Sequence, residues 1–395
     1  MVSMDDRLLL IPGPTMVSSR VLRAMSKQVD SHLHLEFNTV LKSVVDDLKK
    51  LSESSEVFVI TGSGTLAQEI SIANIIEPGD KVLCFTNGFF GGRFSEIVRR
   101  HGGKPKVFEA PLGSAIKPED VKKALKEDNF KAVTIAHIET STAVKSPIRE
   151  IGEVVAESGA YYIVDAVCSF GGVEVRTESW NIDVLCTCSQ KCLAAPPGLA
   201  IIGLSRRALE YLERRETPIS MFYGDLKGWL PIMRNPLDIK YWATPPINLI
   251  YALREALNQI FDEGIEKRFE RHRILGEAFR KSMEALGFKL VAERGYEADT
   301  VTALYYPEGI DDVKFRNLVA ERDILISPGF GPLRGKTFRV GHMGNINPND
   351  LIAAISAIEY ALLKLGFKVE LGIGVKEFNE SINNHYFTRQ LNKKA

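Results

Sequence analysis

Val57-Phe58-Val59-Ile60-Thr61-Gly62-Ser63-Gly64-Thr65 is the stretch on which the fold turns. Its four leading apolar residues read as a strand buried on both faces, and the small residues after them form a turn into a helical run over 65–76. Outward from this strand-turn-helix unit the same alternation continues. Strand signals recur at 81–85, 132–136, 161–164, 184–188 and 199–203, with amphipathic stretches between them such as 90–100. Apolar strands separated by helices predict an α/β fold with a mostly parallel central sheet covered on both faces. Before this block lie helical periods at 18–28 and 36–51. After it a long charged helix over 265–286 leads to strand-like runs at 288–291, 301–305 and 337–340 and a helix near 351–365. The expected division is an N-terminal segment (1–16), a large domain (17–262), a smaller C-terminal α/β domain (263–366) and a tail (367–395) of weak periodicity that ends basic. A chain of 395 residues suits two domains with a cleft between them.

Composition narrows the function classes. Lys+Arg and Asp+Glu both number 50, so no overall field favours nucleic acid or a membrane surface. No apolar run is long enough to span a bilayer, and the polar, acidic Met1–Arg7 start does not read as a signal peptide. A cytoplasmic setting is expected. It agrees with five cysteines, an odd count that makes a poor disulfide framework and reads as buried, reduced thiols. Cys186, Cys188 and Cys192 are close in sequence, but no Cys-x-x-Cys pair or histidine completes a tetrahedral set, and no metal is expected.

In open parallel sheets ligands sit outside the carboxyl ends of the strands, and three such ends carry candidate chemistry. Ser63-Gly64-Thr65 leaves backbone N–H groups and a helix N-terminus free to face an anion such as phosphate, although a tight turn with an N-cap would have the same sequence. Asp165 ends the apolar run Tyr161-Tyr162-Ile163-Val164. A buried carboxylate there caps a neighbouring turn or serves as the counter-ion of a cation, for instance a protonated pyridine nitrogen. Lys191 follows the 184–188 strand and precedes Leu193-Ala194-Ala195-Pro196-Pro197-Gly198. An ammonium is costly to desolvate among such neighbours, which favours the nucleophilic amine needed for Schiff-base chemistry, and a snorkelling lysine is the competing reading. The three in this order, each at a strand end, point to one site.

Along nearly its whole length the chain resembles the class V aminotransferases, within them the alanine-glyoxylate and serine-pyruvate group. The resemblance rests on Leu8-Leu9-Leu10-Ile11-Pro12-Gly13-Pro14, Asn87-Gly88-Phe89-Phe90-Gly91, Glu139-Thr140-Ser141-Thr142, Val164-Asp165-Ala166-Val167, Ser189-Gln190-Lys191, Ala195-Pro196-Pro197-Gly198 and Phe338-Arg339-Val340-Gly341. It implies a fold type I enzyme using pyridoxal 5'-phosphate, with Lys191 as the Schiff-base lysine and Asp165 at the pyridine nitrogen. By the same resemblance Ser63, Gly64, Thr65 and Gln190 contact the phosphate. Phe90 and Val167 cover the two ring faces, and Thr140 bonds the phenolic oxygen. Arg339 grips the substrate α-carboxylate, and Gly13 borders the substrate. Tyr241 and Thr244 match a pair that reaches the phosphate from a neighbouring subunit, which implies a homodimer with shared sites.

The entrance departs from the family pattern. Ser31-His32-Leu33-His34-Leu35-Glu36-Phe37 stands where many relatives carry a Gly-His-Arg-Ser-Pro-Glu-Phe-like run, so His32 and His34 are substrate neighbours or helix-entry residues. The expected reaction is transamination between a small donor, alanine or serine, and glyoxylate or pyruvate. A lyase or desulfurase on the same fold commonly places histidines where this chain has Phe90 and Gln190. An aminoethylphosphonate-type aminotransferase or a catalytically silent scaffold would also suit this fold. No second arginine near Gly13 or the 32–35 run is available to receive a distal carboxylate, so acidic donors are expected to be disfavoured.

Overall fold

The computed structural model describes residues 7–392, with side chains to residue 385. The acidic start up to Asp6 and the basic end from Lys393 therefore lie outside the described residues. The central sheet has seven strands in the order Glu56–Gly62, Gly198–Leu204, Val184–Cys188, Tyr161–Asp165, Ala132–Ala136, Lys81–Thr86 and Lys104–Glu109. Neighbours are parallel except at Gly198–Leu204, which runs antiparallel to both strands beside it. The sheet is thus an α/β sheet of the expected mostly parallel kind. The stretch 184–204 can reverse direction because its connection passes through Lys191 and Ala195-Pro196-Pro197 without a crossover helix.

The interior strands are buried along their length, which is why their sequences are continuous apolar runs and not alternating ones. The edge strand Lys104–Glu109 is different. Lys104 and Lys106 at its start are exposed, and polar residues with a proline suit an edge and hide the strand from a hydrophobicity reading. The expected 90–100 helix begins only at Arg93, since Phe89 and Phe90 lie in the turn before it. Helices Pro118–Leu125 and Ile148–Ser158, absent from the sequence reading, complete the covering layer.

A second sheet is antiparallel, ordered Lys289–Leu290, Val301–Tyr305, Thr337–Gly341 and Ser327–Pro328. Its core, with Phe279, Phe315, Phe338, Leu351 and Ile355, is separate from the core around the large sheet. Leu8–Leu9 pairs in parallel with Ile324–Leu325, and Leu10 is buried in this second core. Within the tail of weak periodicity, Ile373–Asn392 is a helix packed on Ile265–Ala285. Val375, Phe378 and Ile382 recur at helical spacing, and Phe378 is fully buried against the second core. No helix among the described residues is long and apolar enough to cross a membrane. All five cysteines are buried and unpaired.

Candidate active site

The three strand ends singled out by sequence meet at one cavity of about 190 Å³. Ser63, Gly64, Thr65, Phe90, Thr140, Asp165, Val167, Gln190 and Lys191 all line it, nine of the thirteen expected residues. Gln68, Arg93 and Cys188 line it as well, and none of these three was anticipated as a site residue.

Asp165 closes its strand with both carboxylate oxygens engaged. Gln68 Nε2 donates to Oδ2 at 2.6 Å and the Val167 backbone N–H donates to Oδ1 at 2.8 Å. Burial pushes the carboxyl up to about 6, with the nearby Glu139 adding to the rise and the two donors and Lys191 opposing it. Its hydrogen-bonding partners are neutral, so its charge calls for a cation from the cavity side. Gln68 could have been found from sequence as the residue one helical turn beyond Gly64, on the same face.

One end of the cavity is the start of helix Gly64–Ile75. Its N-cap, Ser63, makes no side-chain capping bond, so the first-turn N–H groups remain available. Gly64 allows the helix to approach the next loop: a Cβ there would fall 2.7 Å from Val167 Cγ2. Arg93, the first residue of helix Arg93–Arg100, donates from a guanidinium nitrogen to Thr65 Oγ1 at 2.9 Å.

Lys191 is half-buried, and Nζ donates to the carbonyl of Pro12. The N-terminal segment braces the lysine loop further. Thr15 N donates to Gln190 O at 3.2 Å and Thr15 Oγ1 to Lys191 O at 3.0 Å. Gly13 has φ +99°, and a Cβ on it would sit 2.5 Å from Lys191 Cδ. Only glycine meets both conditions without strain.

Phe90 owes its place to Glu139. That fully buried carboxylate accepts from Phe90 N at 3.0 Å, Gly91 N at 2.8 Å, Ser141 N at 2.9 Å and Ser141 Oγ at 2.6 Å. Sequence reading gave Glu139 no role of its own, and its signal was only adjacency to Thr140. Thr140 Oγ1 lies 2.7 Å from Cys168 Sγ. Arg339 is buried beside this group, donating to Pro328 O at 3.0 Å and Thr140 O at 3.4 Å, with its guanidinium 4.4 Å from the Phe330 ring. Burial lowers its pKa to about 10.

Tyr241 and Thr244 do not join the cavity of their own chain. Tyr241 is 61% exposed, with its hydroxyl 3.4 Å from Thr244 Oγ1 and its ring 5.4 Å from that of His32. His34 is the N-cap position of helix Leu35–Ser52 and pairs with Asp30 at 3.0 Å, a helix-entry arrangement.

Comparison with known proteins agrees with this geometry. The chain is 43% identical over 373 residues to an uncharacterised aminotransferase of Methanocaldococcus jannaschii, covering 93% of this chain and 96% of that one. It is 35% identical over 379 residues to a serine–glyoxylate aminotransferase of Methylorubrum extorquens, covering 93% and 94%. The crystal structure of ureidoglycine–glyoxylate aminotransferase from Bacillus subtilis superposes with a TM-score of 0.90 at 32% identity, over 95% of this chain and 98% of that one. The family described as Aminotransferase class-V matches residues 8–332, and the chain belongs to it, a fold type I aminotransferase dependent on pyridoxal phosphate.

Proposed function

We propose that the enzyme transfers an amino group from a small donor, alanine or serine, to glyoxylate or pyruvate, using the cavity between Ser63 and Lys191. The observation that carries this reading is Asp165, a buried carboxylate with neutral hydrogen-bonding partners on the cavity shared by Lys191 and a helix N-terminus. That set suits a ligand with a phosphate at one end, a basic ring nitrogen and an aldehyde, which fits pyridoxal phosphate. When bound, the cofactor supplies an electron sink for the pair left behind when a proton leaves the substrate α-carbon.

The chain's own residues do the rest. Ser63, Gly64, Thr65 and Gln190 hold the phosphate; Asp165 holds a proton on the ring nitrogen; Phe90 and Val167 fix the ring plane; Thr140 bonds the phenolic oxygen. Arg339 offers a planar fork to the substrate α-carboxylate, with Gly13 at the border of that space. Lys191 Nζ would hold the cofactor at its aldehyde and would take and return the α-proton. Tyr241 and Thr244 act on the phosphate of a second copy, making the enzyme a homodimer, and its exposed aromatic surface of Phe222, stacked 4.7 Å from Trp242, fits coverage by that copy. The Methylorubrum extorquens and Bacillus subtilis relatives are both named for glyoxylate, which supports the same acceptor here. The setting we assign is the cytoplasm.

A donor panel of alanine, serine, glycine, aspartate and glutamate against glyoxylate and pyruvate tests the reading. Alanine or serine with glyoxylate should lead, and borohydride should trap the cofactor on Lys191. Clear preference for aspartate or glutamate would refute the small-donor assignment. Normal turnover by Lys191→Ala would refute the mechanism.

A further inference from the structure

Two cationic side chains line the cavity, Lys191 and Arg93. The covalent link commits Lys191 to the ring end of the cofactor, so it is not free to serve the phosphate. A phosphate ester carries a charge of about −1.5 to −2 near neutral pH. The helix N-terminus offsets only about half a unit of that. A positive charge at the start of helix Gly64–Ile75 would offset part of the remainder, and Arg93 is bonded there, to Thr65 Oγ1 at 2.9 Å.

Its placement is fixed in advance. The guanidinium lies 4.8 Å from the centre of the Phe90 ring and 5.0 Å from that of Phe89, so the loop that supplies the ring-covering aromatic also carries the cation. No carboxylate among the described residues pairs with Arg93. With one hydroxyl and two rings as partners, most of its five N–H donors are unspent. A rigid, unneutralised fork beside a helix N-terminus matches phosphate oxygens better than a mobile lysine would.

We propose that Arg93 is the positioning cation for the cofactor phosphate, joining the first turns of helices Gly64–Ile75 and Arg93–Arg100 around it. The proposal rests on the site reading above. The competing role is reception of the distal carboxylate of an acidic donor.

Cofactor-free wild type, Arg93→Gln and Arg93→Lys are titrated with pyridoxal phosphate and with pyridoxal, which has the same ring and aldehyde without the phosphate. Arg93→Gln should weaken pyridoxal phosphate binding about ten- to a hundredfold, the loss expected for a charged hydrogen bond. Pyridoxal affinity should not change, and Arg93→Lys should recover part of the loss. Inorganic phosphate should also compete with the cofactor less well in Arg93→Gln than in wild type. An equal loss for both ligands would overturn the proposal, because the effect would then lie in the ring pocket or the fold. Unchanged cofactor affinity with selective loss of aspartate and glutamate turnover would also overturn it and assign Arg93 to the substrate. Failure of wild type itself to give a borohydride-trapped link at Lys191 would instead overturn the reading of the site, a result separable from any difference between the two ligands.

Discussion

Asp165 shows how much one buried group can reveal. Its carboxyl sits near 6 in the fold, pushed there chiefly by burial. An unfolded aspartate titrates near ~3.9. Between these values the folded state holds a proton that the unfolded state has released, so stability falls as pH rises through the window. Above it the penalty is complete, on the order of 2–3 kcal/mol for a gap of about two units. In cofactor-free protein, Asp165→Asn should therefore be more stable than wild type at pH 7, with the difference closing towards pH 4. Chemical denaturation of both proteins across that range measures it. A difference independent of pH would mean that the charge is not the cause. With cofactor the order reverses, because a ring cation makes the ionised carboxylate favourable and the variant loses turnover. Sequence alone exposed Asp165, since a carboxylate ending an apolar strand is anomalous. Gln68 was not exposed, since a glutamine inside a helix is ordinary until its partner is known.

At the scale of elements, the site is a set of strand ends held in register by a few buried polar ties. Glu139 is the clearest, binding the 89–91 turn to the 139–141 turn through three backbone N–H groups and one hydroxyl. Glu139→Gln keeps the shape but turns an amide N–H₂ towards donors, losing charge-assisted bonds. We expect a cost of about 2–4 kcal/mol, since unsatisfied buried donors are expensive. The denaturation midpoint should fall and cofactor affinity with it, because Phe90 and Arg93 both hang on this turn. An unchanged midpoint would show that the tie carries no energy. Elements were legible where apolar runs were long: the interior strands at 132–136, 161–164 and 184–188 stood out, while the edge strand Lys104–Glu109 was hidden by its lysines and proline. The helix Ile373–Asn392 was missed because its apolar positions are sparse and find something to bury against only once Ile265–Ala285 and Pro348–Lys364 are packed beside it.

The whole molecule adds what neither residues nor elements contain. In the proposed dimer, Tyr241 and Thr244 complete a neighbour's phosphate site, so cofactor binding and subunit association must be thermodynamically linked. Subunit mass measured by light scattering with and without cofactor tests this. Dilution to monomer should release cofactor, and Tyr241→Phe should weaken cofactor binding in both subunits equally. A monomer that keeps full affinity would end the shared-site idea. The chain's sequence by itself determined the α/β alternation and the strand ends and marked Lys191 and Asp165 as candidates, because these follow from local periodicity and from the cost of placing charge in apolar surroundings, while the roles proposed for the two came from the family resemblance. Only the tertiary structure decided that Gln68 faces Asp165, that Pro12 and Gly13 brace Lys191 across 179 residues of chain, and that Arg93 stands at the start of helix Gly64–Ile75. Those contacts join segments with no local signature of each other, and their energy exists only once packing has brought the segments together.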